Sequence, residues 1–326
     1  MLEHGGKLRA AAARYEIALE NWLDLSTGIN PVGWPVPALS CDAWARLPEA
    51  EDGLTEAAQD YYGSTMILPV AGSQAAIQVL PQLRAPSRVG ILSPSYNEHA
   101  HAWQKVGHEL TSLEEHNIDE QVSQIDVLLL VNPNNPSGCR FSKEQLVQWQ
   151  QQLSQRKGWL IIDEAFMDST PEYSLASLSP KPGLIILRSL GKFFGLAGAR
   201  VGFVLAEQEI LDAISELLGP WTISGPSREV ARLALSDQEW QAKTRLLLEQ
   251  QGNRLAYLLE TNGLKPTGGS SLFQWIKTDN AFELHENLAK RGILTRLFTR
   301  PASIRFGLPA NETQWQRLSD ALKVLQ

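Results

Sequence analysis

From about residue 66 the chain alternates short, uninterrupted apolar runs with stretches in which apolar residues recur every three or four positions. The runs MILPVAG, RVGILSP, DVLLLVNP, GWLIIDEAF and GLIILRSL predict strands. They lack polar alternation, which predicts burial on both faces, as in a parallel sheet. Between them SQAAIQVLPQLR, YNEHAHAWQKV and SKEQLVQWQQQLSQ predict helices, the last with Ser142 as its N-cap. Such alternation predicts an α/β domain of three layers, a mostly parallel sheet with helices on both sides.

After about residue 219 the pattern changes. GPWTISGPS reads as a connection, and helical periodicity follows over 228–235 and 238–262. The tail then mixes strand-like and helical stretches: SSLFQWIKT, AFELHENLAKRG, ILTRLF, SIRFGLP and ETQWQRLSDALKVLQ. This predicts a smaller α+β C-terminal domain. The first fifty residues, with GINPVGWPVP among them, carry little regular signal. They are expected to wrap over the large domain or reach a neighbouring subunit. The expected division is an N-terminal arm or small-domain segment (1–50), a large cofactor-binding domain (51–219) and a small C-terminal domain (220–326).

A length of 326 residues suits one large domain plus a smaller one. The net charge of -7 argues against non-specific nucleic-acid binding and shows no preference for a membrane surface. The only cysteines, Cys41 and Cys139, are far apart, which fits a reducing compartment. The start, MLEHGGKLRAAAARYEIALENW, lacks the apolar core of a signal peptide, and no apolar run is long enough to cross a bilayer. A soluble, cytoplasmic protein is expected. The six histidines, His99 and His101 among them, show no ligand spacing, so no metal site is read.

The predicted strands end in groups that belong to one kind of chemistry, at the edge where open α/β sheets bind ligands. Gly72-Ser73-Gln74 joins a strand to a helix, where backbone N–H groups suit a phosphate. The next such end, Asn132-Pro133-Asn134-Asn135-Pro136-Ser137-Gly138, is a rigid, asparagine-rich turn. Asp163 follows five apolar residues, and a carboxylate buried there needs a cationic partner. Residues 189–203 read SLGKFFGLAGARVGF, placing Lys192 among glycines and phenylalanines, where a nucleophilic amine is expected. A carboxylate for a pyridinium nitrogen, a lysine for an aldehyde and a nest for a phosphate ester together describe a pyridoxal 5'-phosphate site. Arg200 and Ser189 would complete the phosphate cup, Asn135 would bond the ring oxygen, and Tyr96 would stack on the ring.

The set AGSQAAI, SYNEH, NPNNPSG, DEAF and SLGKFFGLAGARVGF resembles the fold-type I pyridoxal-phosphate enzymes of the aminotransferase class I/II group, over nearly the whole chain. Within that group it is similar to histidinol-phosphate aminotransferases and to the threonine-phosphate decarboxylases of cobalamin synthesis. Three features favour the decarboxylases: His4-Gly5-Gly6, the segment LDLSTGINPVG, and Phe166 where the aminotransferases usually carry tyrosine. That resemblance implies decarboxylation of L-threonine O-3-phosphate in a homodimer, with Lys192 catalytic. It also implies that Arg296 and Arg305, with Arg300 as competitor, receive the substrate's carboxylate and phosphate. Asn135 would also touch the substrate, and His4, Gly5 and residues 27–30, including Gly28 and Asn30, would close over its phosphate.

Two positions depart from the family pattern. Leu47 stands where many relatives place a tyrosine that reaches the partner's cofactor, so that contact is lost or supplied by Tyr61 or Tyr62. Gly28 stands where relatives often have asparagine. The nearest rival is a histidinol-phosphate-type aminotransferase. A non-catalytic ligand-binding module would want a DNA-binding domain or basic face, and the acidic chain offers neither.

Overall fold

The computed structural model describes residues 4–324. The last two residues of the predicted C-terminal helix and the first three of the chain lie outside the described residues; that helix spans Glu312–Lys323. The chain forms two compact units. The larger comprises Gly33–Asn134 and Cys139–Lys243; the smaller comprises the residues up to Val32, Asn135–Gly138, and the chain from Thr244 on.

In the larger unit seven strands form one sheet. Their order is Ile67–Val70, Gly202–Leu205, Leu184–Ser189, Trp159–Asp163, Val127–Val131, Arg88–Leu92 and Glu109–Leu113. Six run the same way and Gly202–Leu205 runs against both of its neighbours. Val127, Leu129, Ile161, Ile185 and Leu187 pack on one side with Ile77, Trp103, Leu211 and Ile214. The alternate residues Leu128, Leu130, Leu160, Ile162 and Ile186 are equally buried and, by the pleat, face the other side. The uninterrupted apolar runs are therefore explained by cover on both faces. Ser142 caps helix Lys143–Ser154 in a capping box with Gln145.

Two strands lie outside the apolar-run prediction. Glu109–Leu113 (ELTSL) is an edge strand with one neighbour and mostly solvent-touching residues, so it has no apolar run. Gly202–Leu205 is fully buried but short, and it follows directly on the glycine-rich segment that carries Lys192.

The smaller unit has a four-stranded antiparallel sheet in the order Arg296–Thr299, Ala302–Gly307, Phe273–Lys277, Gly268–Ser270. A short parallel pair joins Leu23–Asp24 to Ile293–Leu294. Helix Leu8–Tyr15 packs through Ala11 with Trp22, Ala289 and Leu294. Residues 4–32 include a helix and a strand and group with the C-terminal elements, while residues 33–50 group with the larger unit.

The expected divisions at 50/51 and 219/220 are also not where the compact units separate. Helix Gly225–Ser236 and the first turns of Gln238–Thr261 group with the larger unit. Aromatic packing accounts for this. Trp240 stacks on Phe194 (centroids 5.6 Å apart) and meets Phe193 edge-on at 5.4 Å. Asp237 accepts the Trp34 indole N–H at 3.0 Å.

Candidate active site

The sequence-predicted residues of the larger unit gather at the carboxyl ends of its strands. Asp163 is the last residue of Trp159–Asp163 and is 3% exposed. Its Oδ1 accepts the Ala165 backbone N–H at 3.0 Å, and its Oδ2 lies 2.9 Å from His99 Nε2. His99 is buried on helix Asn97–Lys105. Sequence reasoning weighed it only as a metal ligand, because nothing in YNEHAHAW shows its partner; the signal is its four-residue spacing from the apolar Trp103 on the buried face.

Tyr96 ends the turn before that helix, edge-on to His99, and its hydroxyl donates to Gln74 Oε1 at 3.3 Å. Burial, then Asp163 and Glu98, push the Tyr96 phenol up to about 12. Gln74 Nε2 in turn donates to Glu98 at 3.0 Å, so the Gln74 side chain is engaged with helix Asn97–Lys105.

The phosphate-cup residues come together across three turns. Gly72 has φ +74°, and a Cβ on it would stand 2.7 Å from Arg200 Nη2. The absent side chain leaves a cradle beside a guanidinium, at the start of helix Ser73–Val79. Arg200 is itself left-handed (φ 55°) and exposed. Ser189 ends strand Leu184–Ser189, and its hydroxyl accepts the Gly191 N–H at 3.2 Å. Lys192 is half-buried, with Nζ 5.4 Å from the Phe166 ring centre. Phe193 and Phe194 beside it are fully buried.

The asparagine-rich turn divides by role. Asn132 and Asn134 are buried and hold the turn itself: Asn132 Oδ1 accepts the Phe141 N–H, and Asn134 bonds Pro94 and Ser95. Asn135 belongs to the smaller unit, where its Oδ1 accepts from Arg305 Nη1 at 2.5 Å.

In the smaller unit Arg305 is 6% exposed, and its Nη2 donates to the Ser26 carbonyl at 2.9 Å. No carboxylate lies within ion-pair distance of it among the described residues, and its buried Nε has no hydrogen-bond partner. Arg296 is its direct partner across the antiparallel pair. Burial, then Arg296, pulls the Arg305 guanidinium down to about 9, with Asp24 acting the other way. Arg300 is exposed in the turn between the two strands, unlike the buried Arg305 with which it competed in the sequence.

His4, Gly5 and Arg296 line a cavity of about 240 Å³ together with Lys7, Arg14 and His285. Gly28 and Asn30 are buried, and Asn30 Oδ1 accepts the Val32 N–H at 3.0 Å. Leu47 is 65% exposed. The Tyr61 hydroxyl donates to Asp168, and Tyr62 is buried with its ring against Arg188, so both are turned into this chain's own core.

The donor set of the larger unit fits pyridoxal 5'-phosphate: an amine for the aldehyde, a held buried carboxylate for the ring nitrogen, a tyrosine for the ring, and a cation beside a side-chain-free cradle for the phosphate.

Comparison with known proteins shows the family. The family model described as aminotransferase class I and II matches residues 21–322. The threonine-phosphate decarboxylase of Pseudomonas aeruginosa is 55% identical over 322 residues, covering 99% of this chain and 97% of that protein. One from a Sinorhizobium species is 39% identical, covering 98% and 97%. Among solved structures, histidinol-phosphate aminotransferase from Sinorhizobium meliloti in complex with pyridoxal-5'-phosphate superposes with a TM-score of 0.84 at 21% identity, covering 99% of this chain and 95% of that one. At that identity the likeness shows the fold.

Proposed function

The chain belongs to the aminotransferase class I and II family of pyridoxal-phosphate-dependent enzymes, and on that premise we propose that it decarboxylates L-threonine O-3-phosphate to (R)-1-amino-2-propanol O-2-phosphate. The observation that carries this reading is the pair Arg296 and Arg305. Two guanidiniums directly opposed on one sheet face repel, and one of them is buried without a carboxylate. Such an arrangement suits a ligand with two anionic groups. The proposed substrate brings a carboxylate and a phosphate.

Residues of the larger unit would hold the cofactor. Lys192 would take its aldehyde, Asp163 its ring nitrogen, Tyr96 its ring, and Gly72, Ser73, Ser189 and Arg200 its phosphate. When bound, the cofactor supplies an electron sink for the pair left on Cα as the carboxylate departs. Asp163 keeps a proton on the ring nitrogen, and His99 and the Ala165 N–H keep Asp163 aimed. Lys192 Nζ delivers the proton that replaces the carboxylate on Cα. Arg305 and Arg296 orient the substrate by its anions, with Asn135, His4, Gly5, Gly28 and Asn30 beside them. Orientation matters because the residues that hold the two anions would decide which Cα bond is presented to the bound cofactor.

We place the product in cobalamin synthesis, and the enzyme in the cytoplasm as a homodimer. No helix among the described residues is long and apolar enough to cross a membrane.

The test uses purified protein reconstituted with pyridoxal phosphate and given L-threonine O-3-phosphate without any oxo acid. Carbon dioxide release with aminopropanol phosphate by mass spectrometry, abolished by Lys192→Ala, is the expected result. No release, with amino transfer from histidinol phosphate once 2-oxoglutarate is added, would overturn it in favour of an aminotransferase.

A further inference from the structure

Ser26 is 2% exposed, and its polar groups bond three separate parts of the smaller unit. Its hydroxyl accepts the Gly6 backbone N–H at 2.7 Å and donates to Asp24 Oδ1 at 2.6 Å. Its own N–H donates to the same Asp24 oxygen at 2.9 Å. Its carbonyl accepts from Arg305 Nη2 at 2.9 Å. A Cβ on Gly5 would stand 2.3 Å from that carbonyl oxygen, so the backbone of Gly5 lies directly on Ser26 and admits no side chain. Gly6 follows with φ +77°. One buried serine is thus the common anchor of the His4-Gly5-Gly6 backbone and of the buried guanidinium.

We infer that Ser26, oriented by Asp24, is a positioning residue that holds His4 and Arg305 in one arrangement and so sets the affinity for a phosphorylated, carboxylate-bearing substrate. This rests on the function proposed above. Strand Leu23–Asp24 supports the anchor. It pairs with Ile293–Leu294, and the Leu25 N–H and carbonyl bond Leu294 and Gly307 on either side. The hydroxyl is the one part of the anchor that a substitution removes without touching these backbone bonds. Its loss leaves the Gly6 N–H, two residues after His4, without its acceptor. Arg305 keeps the carbonyl bond.

The test compares wild type, Ser26→Ala and Ser26→Thr as cofactor-loaded enzymes. Loss of a buried acceptor of this kind raises KM for L-threonine O-3-phosphate about tenfold in Ser26→Ala. The Ki of inorganic phosphate as a competitive inhibitor rises in parallel, while kcat and the cofactor's absorption band stay near wild type. Ser26→Thr, which keeps the hydroxyl, restores KM. A second readout needs no turnover: trypsin cleavage after Lys7 and Arg9, slowed by inorganic phosphate in wild type and faster, without phosphate protection, in Ser26→Ala. Unchanged KM and Ki in Ser26→Ala overturn the inference, as does a fall in kcat with loss of the cofactor band, which marks a merely structural residue. If wild type itself does not turn over L-threonine O-3-phosphate, the proposed function fails. The anchor is then decided by trypsin alone, and it falls if phosphate gives wild type no protection.

Discussion

His99 Nε2 stands 2.9 Å from Asp163 Oδ2, and the two side chains, 64 residues apart in sequence, are both buried. A carboxylate at a strand end can rotate unless both oxygens are engaged; here the Ala165 N–H holds one and the imidazole the other. Removing the imidazole leaves a buried carboxylate oxygen unsatisfied. A hydrogen bond to a charged group is worth about 1.5–3 kcal/mol, so His99→Ala is expected to lower kcat/KM roughly 10- to 150-fold. The cofactor's apparent Kd should rise with it. Kinetics and cofactor titration at one pH check this; wild-type values in both would show that His99 does not support Asp163.

Lys192 lies beside Phe193 and Phe194, which are fully buried against Trp240. Its own side chain is half-buried and contributes little to that core. Lys192→Ala should therefore cost more than about 10³-fold in kcat, at the upper range of positioned proton transfer, with little change in thermal unfolding. Turnover and a melting curve on the same preparation separate the two effects. Retained turnover would remove Lys192 from the chemistry.

Lys192, Asp163 and Ser189 were legible in the sequence for a physical reason. Each terminates or follows a strand buried on both faces, so a polar residue there interrupts an apolar run. His99 was not, because its partner Asp163 lies 64 residues away, and the tie between Ser26 and Arg305 was not, because it spans 279 residues. Asn132, Asn134 and Asn135 read alike as a string of amides, but two of them hold the turn and one meets Arg305. Edge position hid strand Glu109–Leu113, since a strand covered by one neighbour needs no apolar run. The grouping of helix Gly225–Ser236 with the larger unit follows from tertiary packing, which periodicity does not encode.

Glu164, Asp168 and Arg188 form a fully buried ionic cluster under the same strand ends. Arg188 Nη1 donates to Glu164 at 2.5 Å and Nη2 to Asp168, with the Tyr62 ring 4.5 Å from the guanidinium. Removing the cation leaves two carboxylates in the core. Arg188→Met is expected to cost about 3–5 kcal/mol, because the uncompensated charges cannot reach water. Adding Glu164→Gln and Asp168→Asn should recover a large part of that loss. Urea unfolding of the single and triple variants checks both statements. A single variant as stable as wild type would show that the cluster relaxes without its arginine.

Arg305 gives a prediction with a definite sign in pH. Its guanidinium is pulled below its ordinary value to about 9, first by burial and then by Arg296. Between about 9 and that ordinary value the unfolded chain binds the proton and the folded chain does not, so stability rises with pH there. Below about 9 the folded protein carries the buried charge and its full penalty. An anion paired with the guanidinium relieves that penalty only while the charge is present. Inorganic phosphate should therefore raise the melting temperature most at neutral pH, and its effect should shrink as pH passes about 9. Arg305→Met should lose the phosphate effect at every pH, together with about 10²-fold or more in kcat/KM, since two charge-assisted bonds of about 1.5–3 kcal/mol each are gone. Melting curves over a pH series, with and without phosphate, read the first expectation, and steady-state kinetics the second. A phosphate effect in wild type that is the same on both sides of pH 9 would mean that the anion binds elsewhere. The opposed arginines would then need another reason to face each other.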